Sequence, residues 1–349
     1  MSKAHKVVRV ICPTRIDFTG GFTDVLPFRA KQWVSHVNLA IDLVVEVILK
    51  TRSDMQIKIV DNRNNIAIQV PSINEIDDHL SLIKVALRKF SIEGNISLTI
   101  NSRAPSGAGL GTSGALSIGL TAALILFTDK VLPNNLLDLA IMAAKIERES
   151  GVLGGLQDQF AAANGGLNLF RFYGSEYSSK RISLPNSYIL GLKEHLFILY
   201  PGGKRRSTDI VTKVMNGYQY GNVQVKNALY ALDSMALEII NALQSANWHK
   251  LSDLLDTVRY HQLKLNSELV NKFNQKIINE LKAKNVNGVK FLGGGGPGAC
   301  MLVVCPDQKS KSVIKYVSKN NYIEILPVCY IEDGLRVESS PQNKLNKND

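Results

Sequence analysis

Residues Arg103–Ala115, RAPSGAGLGTSGA, set Gly107, Gly109 and Gly111 at alternate positions just ahead of a long apolar run, Ala115–Phe127. No other stretch constrains the fold as much. Glycine tolerates the left-handed turns and the close backbone approach that a tight loop needs. A helix starting at Thr112 or Ser113 leaves its first N–H groups unpaired and aimed back at the loop. Together these features predict a cradle for phosphate oxygens. The pattern lacks the closing Gly-Lys-Ser/Thr of the P-loop. It also lacks the acid that a dinucleotide fingerprint carries further on. A glycine turn before a core helix is the plainer reading. The run Ala115–Phe127 is shorter than the ~20 residues that cross a bilayer, so it reads as a buried helix.

Two other glycine-bearing motifs flank this one. Near the start stands Pro13-Thr-Arg15-Ile-Asp17-Phe-Thr-Gly20-Gly21-Phe-Thr23-Asp24, and near the end Lys290-Phe-Leu-Gly293-Gly294-Gly295-Gly296-Pro297-Gly298. The three, in this order, resemble the signature regions of the GHMP kinases, with Pro105-x-x-x-Gly109-Leu110-Gly111-Thr112-Ser113 as the ATP-phosphate loop. The resemblance runs over about residues 7 to 337. It implies an α+β fold of two domains with the active site between them. Residues 1–187 would form an ATP-binding domain like domain 2 of ribosomal protein S5. Residues 188–340 would form a ferredoxin-like domain, and residues 341–349 read as a disordered tail.

The coarse pattern of elements agrees with that division. Val7–Cys12, Trp33–Lys50 and Ile96–Ile100 read as strands, and Met55–Val60 with Asn65–Val70 as a hairpin. Helices are expected at about Asp77–Phe90, Asn134–Ser150 and Gln157–Ala163, and a strand from Gly165. Beyond Ser187 the pattern predicts a strand at His195–Leu199, then helices at Asn222–Gln244, Trp248–Leu265 and Ser267–Lys284. Strand–turn–strand follows over Val289–Cys305, then a helix at Gln308–Ser318. Strands at Ile323–Val328 and Leu335–Glu338 close the chain.

Phosphoryl transfer needs a phosphate cradle, a magnesium site, a group to receive the acceptor proton, and positive charge near the moving phosphoryl. The resemblance assigns ATP to Pro105, Gly107, Ala108, Gly109, Leu110, Gly111, Thr112 and Ser113. It assigns magnesium to the hydroxyls of Thr112 and Ser113 and to Glu147. Mevalonate kinases place a magnesium-binding Glu eleven residues before a catalytic Asp, the spacing of Glu147 and Asp158 here. Asp158 is thereby the expected proton acceptor, and Arg15 the guanidinium beside it. The plainer alternatives are a solvated helix acid for Glu147 and a helix N-cap for Asp158.

For the acceptor, the resemblance points to Gly20, Gly21, Thr23 and Asp24, with Gly294 and Gly295 on the opposite side. Asp24 could equally be a turn-capping acid. Galactokinases carry a glutamate and histidine where Gly21 and Phe22 stand, which argues against galactose. The Gly-Gly-x-Thr-Asp form is similar to that of the D-glycero-D-manno-heptose 7-phosphate kinases and, more distantly, the fucokinases. Arg205 and Arg206, in Lys204-Arg-Arg-Ser207, would hold a phosphate already on the sugar. The implied reaction is phosphorylation of an anomeric hydroxyl, giving a heptose 1,7-bisphosphate. A fucose-like acceptor, a catalytically silent binding protein and an RNA-binding protein are the alternatives.

The net charge of +11, from 41 basic and 30 acidic residues, is scattered and suits anionic small molecules. No nucleic-acid signature accompanies it, so no nucleic-acid partner is expected. Cys12, Cys300, Cys305 and Cys329 show no zinc or redox spacing. Buried thiols, the lack of a signal-peptide pattern and the lack of a membrane span predict a cytoplasmic enzyme. A homodimer is left open.

Overall fold

The computed structural model describes residues 6–203 and 207–339; the expected tail lies outside them. In chain order the first half holds β1 (Val7–Asp17), β2 (Val34–Thr51), β3 (Ile57–Asp61), β4 (Ile66–Val70), α1 (Ser81–Lys89) and β5 (Ile96–Ser102). Then come α2 (Thr112–Phe127), α3 (Leu136–Glu149), α4 (Gln157–Asn164), β6 (Leu167–Tyr173) and β7 (Glu176–Arg181). The second half holds α5 (Asn186–His195), β8 (Leu196–Tyr200), α6 (Ser207–Gln219), α7 (Val223–Ser234), α8 (Ala236–Gln244), α9 (Trp248–Leu265) and α10 (Lys272–Lys282). It closes with β9 (Val289–Phe291), β10 (Met301–Val304), α11 (Gln308–Asn320), β11 (Glu324–Leu326) and β12 (Arg336–Ser339).

Among the described residues, eight strands form one sheet, whose main path runs β12-β1-β2-β5-β3-β4. The 18-residue β2 is its spine. Val45–Thr51 of β2 pairs with β5, and Val34–Leu39 pairs with β6. One strand rich in Val, Ile and Leu thus serves two neighbours on the same edge. On one face of this sheet α2 sits against β1 and β2. It is buried nearly all round, as expected for a helix without a polar stripe.

The second sheet has the order β11-β8-β10-β9. With the chain order strand, helices, two strands, helix, strand, this is the antiparallel ferredoxin-like arrangement that the resemblance implied. Alternation along its strands sorts side chains to two faces. Ile198, Leu302 and Val304 join the main core. Phe197, Leu199, Met301 and Val303 join a second core under α10 and α11.

The division expected at residue 187 fails at the chain's end. β12 does not close the second domain. It returns to the first sheet and pairs with β1, with Val10 opposite Val337. A bridge between Ile41 and Tyr330 leads it there. An edge strand of the first sheet needs a partner for its backbone groups, and β12 supplies it. The reading also lacked β7, α5 and α6, and the helix expected over Asn222–Gln244 is two, α7 and α8. No helix among the described residues is long and apolar enough to cross a membrane. None of the four cysteines forms a disulfide; Cys329 is exposed and the others are buried.

Candidate active site

The glycine loop ends where α2 begins, and Gly111, at φ 75°, is the residue before its first turn. Gly107, Gly109, Gly111, Thr112 and Ser113 line a cleft with Arg15, Glu147 and Asp158. Gly109 has a second reason to be glycine. A Cβ there would fall 2.2 Å from the Leu292 carbonyl oxygen, so the third motif lies directly on the loop. Ala108 and Leu110 are not among the residues that line the cleft. Both are buried, and their carbonyls accept from Cys300 N at 2.8 Å and Arg15 N at 3.0 Å. With Pro105, whose carbonyl accepts from Ala108 N at 3.4 Å, they frame the loop behind the cleft wall.

Asp158 stands in the first turn of α4 but does not cap it. Gly114 lets α2 and α4 approach closely, since a Cβ there would lie 2.5 Å from Asp158 Cβ. That contact brings Asp158 beside the cradle. Arg15 Nε and Nη2 both donate to Asp158 Oδ1, at 2.9 and 2.6 Å, while Nη1 donates to the Gly109 carbonyl at 2.6 Å. Burial raises the Asp158 pKa, against the pull of Arg15. Its side chain is still 31% exposed, against 3% for Arg15.

Glu147, at the end of α3, is buried and accepts hydrogen bonds from Ser113 Oγ and Gln159 Nε2. Both partners are neutral. Burial pushes its pKa to about 7, the nearby Asp158 charge adds to the rise, and the two hydrogen bonds restrain it. The Thr112 hydroxyl is buried with no hydrogen-bond partner. An acid met only by neutral groups and an orphaned hydroxyl, both at the N-terminus of α2, fit a magnesium–triphosphate group. Among the described residues no cluster of three or more His, Cys, Asp or Glu could hold a metal unaided. Magnesium needs none, because nucleotide phosphates and water complete its shell.

The expected acceptor side is different. Gly21 and Asp24 line the cleft, with Gly293 and Gly294 opposite. Asp24 Oδ2, however, accepts from the backbone N–H groups of Leu156 and Gln157 at 2.7 and 2.9 Å. It thus caps α4, which has no capping side chain at Leu156 itself. A Cβ at Gly155 would collide with it. Oδ2 is therefore committed to α4, while Asp24 still lines the cleft. Thr23 also faces inward, buried, with Oγ1 2.7 Å from His36 Nε2. Gly20 packs toward Leu232 and Val258, and Gly295 toward Leu269, rather than into the cleft. Arg205 and Arg206 lie outside the described residues. Gln159, next to Asp158 in the same motif, also reaches the cleft, and Val211 does so without any motif to announce it.

Residues 79–166, which hold the cradle, Glu147 and Asp158, match the model of the GHMP kinases N-terminal domain. A D-glycero-alpha-D-manno-heptose 7-phosphate kinase of Campylobacter jejuni is 26% identical over 91% of this chain and 96% of its own. A bifunctional fucokinase/GDP-fucose pyrophosphorylase of Arabidopsis thaliana is 25% identical over 87% of this chain, but only 30% of that larger protein. The crystal structure of a D-glycero-D-manno-heptose 1-phosphate kinase from Bacteroides thetaiotaomicron superposes with a TM-score of 0.76. It is 20% identical and covers 96% of this chain and 100% of its own. Residues 79–166 thus match a GHMP kinase N-terminal domain, and the similarity along nearly the whole chain indicates an ATP-dependent kinase.

Proposed function

We propose that this kinase transfers the γ-phosphoryl group of ATP to the anomeric hydroxyl of a heptose 7-phosphate, forming the 1,7-bisphosphate. The chemistry rests on one observation above others: Arg15 grips a single oxygen of Asp158 beside the N-terminus of α2. In this reading Asp158 Oδ2 takes the proton from the acceptor hydroxyl as that oxygen attacks phosphorus and ADP leaves. Arg15 keeps Asp158 anionic and lies where charge spreads onto the phosphoryl oxygens. Gly107–Ser113 and the first N–H groups of α2 hold the phosphates. Thr112, Ser113 and Glu147 would hold magnesium, which when bound with ATP offsets phosphate charge.

The sugar acceptor is supported by similarity to the heptose kinase along nearly the whole of both chains. The relatives' names place the existing phosphate differently, at C7 or C1. A fucose-like acceptor is the second reading, favoured by the similarity to fucokinase. Release of ADP, measured across heptose 7-phosphate, free heptose and fucose, separates them. Preference for an unphosphorylated sugar over every sugar phosphate sinks the heptose 7-phosphate reading. Arg205 and Arg206 supply a second arm. Changing both to Ala should weaken a phosphorylated acceptor by about 2–4 kcal/mol, with the KM for ATP little moved. A free sugar should not notice the change.

A further inference from the structure

Asp17, Lys290 and Gln262 are fully buried, on β1, β9 and α9, and meet around one turn, Thr19–Gly20. Lys290 Nζ donates to the Asp17 main-chain carbonyl and, at 3.2 Å, to Asp17 Oδ2. Asp17 Oδ1 accepts from Thr19 N at 3.0 Å, Thr19 Oγ1 at 3.2 Å and Gly20 N at 3.1 Å. Gln262 Nε2 donates to Gly20 O at 3.1 Å and Phe291 O at 3.0 Å, while its Oε1 accepts from Phe291 N at 3.1 Å. The turn is thus held on its N–H side by Asp17, which Lys290 anchors from 273 residues away, and on its C=O side by Gln262 from 242 residues away.

Stability alone does not account for this arrangement. A buried ion pair is commonly no more stable than apolar residues of the same volume. Burial works against the Asp17 charge, and Lys290 beside it nevertheless holds the carboxyl below its usual range. What the pair does hold is geometry. Gly21, next to the clasped turn, lines the cleft, and a Cβ there would stand 3.6 Å from the Gly293 carbonyl. The backbone at Leu292–Gly293, which follows β9, presses on Gly109 of the phosphate cradle.

We propose that Asp17, Lys290 and Gln262 are positioning residues that fix the acceptor turn, Gly20–Gly21, in register with the phosphate cradle. None of them touches the cleft, so their action passes through Gly20, Gly21 and Gly293. The acceptor role of the turn rests on the function proposed above. Misplacing a reacting group by about 1 Å costs on the order of 10²-fold in rate.

The test uses Asp17→Asn combined with Lys290→Met. The asparagine oxygen can keep the bonds from Thr19 and Gly20, and no charge is left unpaired. Each single variant should lower Tm, and the double variant should recover it. The clasp predicts that kcat of the double variant stays at least ~10-fold below wild type, with a raised acceptor KM and a KM for ATP within about twofold. Gln262→Met leaves both charges in place and should show the same split if the double variant does not fold. Wild-type kcat and acceptor KM in the folded variants overturn the proposal. A wild-type protein that turns over no sugar instead overturns the acceptor reading, which the same assay reports before any variant is made.

Discussion

The two walls of the cleft treat their polar groups in opposite ways. On the cradle side the Thr112 hydroxyl has no partner, Glu147 is met only by neutral groups, and Asp158 keeps almost a third of its side chain exposed. On the acceptor side Thr23 bonds His36, Asp24 caps α4, and Asp17 is consumed by Lys290, Thr19 and Gly20. Buried polar groups are ordinarily satisfied, so the exceptions mark where a ligand is expected. The cradle wall keeps polar groups open, as the proposed nucleotide site requires. The acceptor wall is nearly finished: it offers backbone, one edge of a carboxylate and the unpaired Oε1 of Gln157 beside Gly21. Substitutions should therefore cost rate on the first wall and stability on the second.

The largest effect should come from Asp158→Asn. On the cradle wall it should lower kcat by ~10²-fold or more while Tm and ATP affinity hold. A variant that instead loses Tm and keeps its rate would move Asp158 to the framework side. Glu147→Gln comes next and should be stabilising. The folded carboxyl titrates near 7 rather than 4.5, so its contribution is fully present below pH 4.5 and is lost as pH rises through 7. At about 1.4 kcal/mol per unit, the glutamine form should gain up to about 3 kcal/mol of unfolding free energy at pH 8 and nothing at pH 4. Urea unfolding at both values, without nucleotide, reads this directly. The same variant should need more magnesium for turnover, because a neutral amide replaces an anionic ligand. Equal stability gains at both pH values would remove the buried charge from the explanation.

The difference between the walls also explains what could be read from the sequence. The cradle was legible because its parts are local. Three glycines, two hydroxyls and an apolar run are contiguous, and α2 starts at Thr112 as that order predicts. Glu147 and Asp158 are eleven residues apart, joined by a helix end and a glycine turn. α9 is likewise read at its bounds, and the structure shows Asn247 capping its start. The acceptor wall was not legible, because its partners are remote. Asp24 finds its N–H groups 132 residues on, and Asp17 finds Lys290 273 residues on. A carboxylate beside glycines looks the same in sequence whether it serves a sugar or a helix end. The return of β12 to β1 fails for a similar reason. A strand's period shows which face is buried but not which edge it joins.

The smallest expected effect is the sharpest test of the comparison, because one substitution is made on each wall. Thr→Val keeps shape and deletes a hydroxyl. At Thr23 it strands the buried His36 Nε2, and losing one partner of a buried pair costs about 1–3 kcal/mol. At Thr112 the deleted oxygen has no partner, so the unliganded protein should lose nothing and gain up to about 1 kcal/mol. Added ATP and magnesium should reverse the order at Thr112. A ligand that binds only the folded state raises Tm by its affinity, and Thr112→Val should show a smaller rise than wild type. Thr23→Val should show the full rise from its lower starting point. If both variants fall equally without nucleotide and rise equally with it, the hydroxyl of Thr112 is a framework group like that of Thr23. The division between an open wall and a nearly finished one would then fail at its clearest pair.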